Sequence, residues 1–160
     1  RALEAVAARM DRRLVADSSG VRHAELFATA VLLEFSADTR TVRVVTCGHP
    51  PPVLLRAGGA RELTVAPAPP LGIGLLGVEP PKEVTVTLDP GDRLLIATDG
   101  LWEARDGAGR FYPMPERLAA LADTGTAALP DALWEDVRHL GHHVDDDASV
   151  LVLAPDRSPR

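Results

Sequence analysis

Apolar residues at the start of the chain recur with a helical period. Leu3, Val6, Met10 and Leu14 share a face with Ala7 and predict an opening helix, which Asp17-Ser18-Ser19-Gly20 closes. The pattern then changes to strands. Phe27 to Phe35 and Thr41 to Cys47, joined by Ser36-Ala37-Asp38-Thr39, predict a hairpin. Val53 to Arg56 and Arg61 to Val65 predict a second hairpin around Ala57-Gly58-Gly59-Ala60. Val84 to Leu88 and Arg93 to Thr98 predict a third around Asp89-Pro90-Gly91-Asp92. The loop Ala66 to Pro81, rich in Pro and Gly, is longer than most connections, which favours a functional or mobile segment. The last third is helical. Met114 to Ala122 carries Met114, Leu118 and Leu121 on one face. Leu129 to Leu140 carries Leu133, Trp134, Val137 and Leu140, with Pro130 in the first turn, where its missing N–H costs nothing. The apolar strand Ser149 to Leu153 follows, and Pro155 to Arg160 reads as a frayed tail. Hairpins followed by helices predict an α+β fold with antiparallel sheets. No repeat or linker divides the chain.

Composition narrows the function classes. At 160 residues, with 46% hydrophobic and 25% charged residues, the chain fits one globular domain. No apolar run reaches the roughly 20 residues of a membrane helix, and no secretory leader pattern opens the chain. A net charge of −6 without a Lys/Arg stripe argues against nucleic acid as a partner. The single Cys47 excludes an internal disulfide and a thiolate zinc site, and makes a reducing, cytoplasmic setting the expectation. Arg supplies the positive charge apart from Lys82, and Asn and Gln are absent, a bias expected of a GC-rich bacterial genome. The start inside a helical pattern favours an excised piece of a longer protein.

Two acidic sites adjoin the most apolar strands. Asp99-Gly100 follows Arg93–Thr98, and Asp145-Asp146-Asp147 precedes Ser149–Leu153. If the two strands pair antiparallel, the acids converge on one sheet edge. Clustered carboxylates repel unless protonated or bound to a cation, and oxygen-only donors suit Mg²⁺ or Mn²⁺. Taken singly, Asp-Gly is a common turn, as Asp106-Gly107 is expected to be, and an acidic triplet is usually a solvated loop. His49 in its Pro-rich turn is read as structural, and Trp102 and Trp134 as packing residues. His142-His143 are assigned to a charge effect at a helix C-terminus, and Cys47 to a buried small apolar role.

Five segments in order carry a family resemblance: Phe27-Ala28-Thr29-Ala30; Cys47-Gly48-His49-Pro50-Pro51-Pro52-Val53-Leu54-Leu55; Pro70-Leu71-Gly72; Pro90 to Ala104, containing Ala97-Thr98-Asp99-Gly100; and Asp146 to Leu153. Together they resemble the SpoIIE-like branch of the PPM, or protein phosphatase 2C-like, serine/threonine phosphatases. The resemblance implies an antiparallel β-sandwich flanked by helical layers, with residues 1–154 a partial phosphatase domain and 155–160 a tail. It implies hydrolysis of phosphoserine or phosphothreonine in a regulatory phosphoprotein, of the anti-sigma-factor antagonist class, assisted by two Mn²⁺ or Mg²⁺ ions. Asp99 and Asp146 map onto family metal ligands, with Gly100 and Asp147 supporting. An upstream sensor domain and a homodimer are the further partner arrangements considered. One departure stands out. The family's Gly-Asp-x-x-Gly-x-Gly segment, whose Asp bridges both ions, is absent from the 160 residues. The chain is therefore expected to lack an edge of the fold and one ligand, by truncation or degeneration, and to have little activity alone. The rival expectation is a PPM-like interaction domain that binds a regulatory partner without turnover.

Overall fold

The computed structural model describes residues 3–18, 27–74 and 80–155. Contacts group the chain into two units. The first holds α1 (Leu3–Ser18), β1 (Ala30–Phe35), β2 (Thr41–Cys47) and β5 (Val84–Thr87). Its sheet runs β1-β2-β5, all antiparallel, with Leu33 opposite Val44 and Val42 opposite Val86. Leu3 and Ala7 of α1 pack with Val45, Cys47 and Leu71. Across β1 and β2, Arg43 pairs with Glu34 directly opposite it and with Glu83, an arrangement that favours this register.

The second unit holds β3 (Val53–Arg56), β4 (Gly59–Glu62), β6 (Arg93–Ala97), α2 (Asp99–Trp102), α3 (Met114–Ala120), α4 (Leu129–His139) and β7 (Val150–Leu153). Its antiparallel sheet runs β4-β3-β6-β7. Val53, Leu55, Leu95 and Ala97 pack with Met114, Leu118, Leu129, Leu133 and Val137 of α3 and α4. Trp102 and Trp134 pack against this core, as expected of them. α4 ends in a Schellman motif: the His142 amide donates to the Val137 carbonyl and the Gly141 amide to the Arg138 carbonyl. His142 is thus held as a helix terminator, buried edge-on against Tyr112.

Three expectations are corrected. Val84–Leu88 and Arg93–Thr98 do not form a hairpin, because β5 pairs with β2 and β6 lies between β3 and β7. The intervening turn does form, with the Asp92 amide donating to the Asp89 carbonyl. However, the buried Asp92 carboxylate accepts from Arg56 Nε and Nη2 at 3.0 and 2.6 Å, fixing the start of β6 beside the end of β3. β6 is buried almost throughout and needs a neighbour on each side, whereas β5 alternates as an edge strand does. Second, β4 begins at Gly59, so the turn is only Ala57-Gly58. Third, the inner face of α1 is Leu3-Ala7-Asp11, and Met10 is exposed. Asp11 turns inward because its Oδ1 accepts the Gly72 amide at 2.7 Å and the Gly74 amide at 3.3 Å.

Part of the loop Ala66–Pro81 lies outside the described residues, as do Ser19-Gly20 and 156–160. Among the described residues, no helix is long and apolar enough to cross a membrane.

Candidate functional site

β6 and β7 are antiparallel neighbours, with Ala97 opposite Val150. The end of one strand therefore meets the start of the other, as the placement of the two acidic sites predicts. Beyond the last paired residues, the Thr98 amide donates to the Ser149 carbonyl at 3.1 Å. The Thr98 hydroxyl accepts the Ser149 amide at 2.9 Å and lies 3.5 Å from the Asp147 carbonyl, to which it can donate. Gly100 is buried against the same loop. A Cβ built on it would lie 2.6 Å from the Asp147 carbonyl oxygen and 3.2 Å from that of Asp146. Only glycine allows the backbone to approach this closely.

Asp99 opens α2, and Asp146 and Asp147 sit in the loop before β7; all three are exposed. The two candidate ligands are held alike. The Gly100 amide donates to Asp99 Oδ1 at 2.9 Å, and the Asp147 amide donates to Asp146 Oδ1 at 2.7 Å. Each turn leaves a second oxygen of the same carboxylate for another ligand. In kind, these oxygen donors fit a hard divalent cation. In number they fall short of a complete cage: among the described residues no three His, Cys, Asp or Glu side chains converge to hold a metal.

The other motif segments serve as structure. Ala28 and Leu71 exchange backbone hydrogen bonds at 3.0 and 2.9 Å. The Gly48 amide donates to the Ala68 carbonyl, and Gly48, at φ +63°, lies against Pro70. Cys47 is fully buried, and burial, reinforced by the charge of Asp11, pushes its thiol up, away from nucleophilic use. Asp106 closes its own turn by accepting the Ala108 and Arg110 amides, as expected of an Asp-Gly turn. The sequence reading missed Thr98, Asp11 and also Asp136, whose carboxylate accepts from Tyr112 and Arg117, as organising residues. Only the threonine beside Asp99 carried a local hint, and the partners of the other two are distant in sequence.

A family model described as Stage II sporulation protein E (SpoIIE) matches residues 1–156. The chain belongs to the SpoIIE family. Solved structures agree on the fold of this SpoIIE-family chain. The phosphatase domain of the cell-fate determinant SpoIIE from Bacillus subtilis, presoaked with manganese, matches with a TM-score of 0.66 at 15% identity, over 96% of this chain and 75% of that one. The RsbU and RsbW domains of Rv1364c from Mycobacterium tuberculosis match at 30% identity with a TM-score of 0.55, over 78% of this chain and 35% of that one. The catalytic domain of the serine/threonine protein phosphatase PstP, in complex with two manganese ions, matches with a TM-score of 0.66 at 19% identity, over 94% and 68%. No curated protein matches the chain. The SpoIIE-family chain thus has the fold of PP2C phosphatase domains, an α+β fold with two antiparallel sheets and helices.

Proposed function

We propose that this domain removes phosphate from phosphoserine or phosphothreonine on a regulatory protein of the anti-sigma-factor antagonist class, in the cytoplasm of a bacterium. Residues 1–154 are assigned to the phosphatase domain, and Asp99 and Asp146 to holding Mn²⁺ or Mg²⁺, with Gly100 and Asp147 in support. The observation that carries this reading is the meeting of the Asp99 turn and the Asp146-Asp147 loop at the open end of β6 and β7.

When bound at Asp99 and Asp146, the ions would neutralise charge on the phosphoryl oxygens and would lower the pKa of a water. The chain's own residues do the rest. Asp99 and Asp146 each present one free oxygen from a turn already fixed by the following amide. Their exposure suits a phosphoprotein side chain arriving from solvent, and Gly100 keeps the two turns in contact. A second reading, an interaction domain that binds a phosphoprotein without turnover, draws support from the absence of a three-ligand cluster among the described residues.

The test compares wild type and Asp99→Asn of the full-length protein in a phosphoprotein dephosphorylation assay, with a Mn²⁺ titration and thermal melts. Asn keeps the shape and one acceptor oxygen but loses the charge that balances a divalent cation. The rate should fall at least a hundredfold, about 2.7 kcal/mol at the barrier, while the melting temperature moves little. Wild-type turnover by Asp99→Asn would remove the ligand assignment. Partner binding without turnover under any divalent ion would favour the interaction domain.

A further inference from the structure

Thr98 occupies the N-cap position of α2, where a threonine hydroxyl ordinarily accepts an amide of the helix's own first turn. Here it makes no such bond. Its backbone is extended, with φ −67° and ψ 162°, and its side chain reaches across to the other strand. The hydroxyl accepts the Ser149 amide at 2.9 Å and lies 3.5 Å from the Asp147 carbonyl. The Thr98 amide adds the bond to the Ser149 carbonyl. One residue thus engages the chain on both sides of Ala148 and stands directly before Asp99. Gly100 closes the gap from the other side of Asp99, its backbone pressed against the Asp146 and Asp147 carbonyls.

We propose that Thr98 is a positioning residue for cation binding: its hydroxyl fastens the Asp146-Asp147 loop to the Asp99 turn and so sets the spacing of the two carboxylates. The inference rests on the assignment of Asp99 and Asp146 as the ion-holding pair. Its chemistry is specific. Valine has the same branched shape but can neither accept the Ser149 amide nor donate to the Asp147 carbonyl. Serine keeps both capacities and loses only a methyl group. If the hydroxyl matters only to stability, both variants will bind cations as wild type does. If it sets the spacing, valine will fail and serine will not.

The experiment uses the 160-residue chain with Mn²⁺ alone as the probe. Paramagnetic broadening of the Gly100 and Asp147 amide signals is followed by NMR as Mn²⁺ is added, and Ser149 amide exchange and thermal melts are recorded in EDTA. Thr98→Val should require roughly tenfold more Mn²⁺ for half-broadening, in the range found when groups orienting a metal ligand are removed. Its Ser149 amide should exchange faster, and its melting temperature should stay within about 5 °C of wild type. Thr98→Ser should titrate within about twofold of wild type, since it retains the hydroxyl. If Thr98→Val does not fold, Thr98→Ala takes its place with the same expectation.

Faster Ser149 exchange with an unchanged Mn²⁺ titration would reduce Thr98 to a structural role and overturn the proposal. Equal losses in the valine and serine variants would overturn it as well. Asp99→Asn is measured alongside: a wild-type Mn²⁺ titration there would sink the underlying ligand assignment, a failure separate from that of Thr98.

Discussion

Asp136 on α4 gathers three donors that the sequence gives no means of pairing. Arg117 Nε and Nη2 reach its two oxygens at 2.8 and 2.6 Å, and the Tyr112 hydroxyl donates at 2.5 Å. The Arg117 hydrogen bond, outweighing the effect of burial, holds the Asp136 carboxyl below its usual range. Burial, with Asp136 beside it, pushes the Tyr112 hydroxyl up. A carboxyl lowered in the folded state contributes stability above its unfolded pKa of about 3.9, and that contribution is lost as pH falls through the folded value. Asp136→Asn should therefore destabilise by about 2 kcal/mol at pH 7. Exposure of 34% of the Arg117 side chain places the expectation below that of a fully buried pair. The deficit should shrink as pH drops below about 4. Urea melts across the acid range check this, and a deficit independent of pH would refute the linkage. The convergence of the Asp99 turn and the Asp146 loop on one sheet edge was legible in the sequence, because each abuts an apolar strand and the two strands pair. Asp136, Asp11 and Thr98 were not, since nothing local encodes a partner across the fold.

At the scale of elements, composition and period located most strands well: Thr41–Cys47 and Val53–Arg56 lie where the pattern placed them. Pairing was harder to read. The turn Asp89–Asp92 is real, yet its flanking strands part to different sheets. A local pattern reports that the chain turns; the ion pair of Arg56 with the buried Asp92 carboxylate selects the neighbour. The inner face of α1 was misplaced for a related reason. A hydrophobicity pattern assigns a carboxylate to water, and it cannot anticipate the loop amides that receive Asp11. Gly48 links elements in the same way, joining the end of β2 to the loop that carries Pro70. At φ +63°, a Cβ there would sit 2.5 Å from Pro70 Cγ and 3.0 Å from its backbone Cα. Gly48→Ala combines left-handed strain with that overlap and should cost about 2–3 kcal/mol, lowering the melting temperature by roughly 5–10 °C. Gly107→Ala is the control, because a Cβ there meets nothing within 4 Å. Equal melting of the two variants would show that Pro70 yields without cost.

For the molecule as a whole, the fold and the supply of ligands lead to different expectations. The 160 residues match the family over almost their full length and bring Asp99 and Asp146 to one sheet edge. They contain no Gly-Asp-x-x-Gly-x-Gly segment, and the described residues hold no cluster of three candidate ligands. Two carboxylates can hold one divalent ion weakly. A second ion, which the family resemblance implies, would need a further ligand, and hydrolysis assisted by two ions would depend on that ligand. A chain of this sequence should therefore bind Mn²⁺ in the Asp99-dependent manner described above yet hydrolyse a phosphoserine peptide poorly. Turnover should lie at least roughly a hundredfold below that of the same chain with a Gly-Asp-x-x-Gly-x-Gly strand fused ahead of Arg1, about 2.7 kcal/mol at the barrier. Phosphate release is measured for both proteins across a Mn²⁺ series, with Asp99→Asn in each background. Restoration by the fusion, abolished again by Asp99→Asn, would tie the deficit to one missing shared ligand. Brisk Mn²⁺-dependent hydrolysis by the 160 residues alone would show that Asp99, Asp146 and the nearby oxygens of Asp147 suffice for the chemistry.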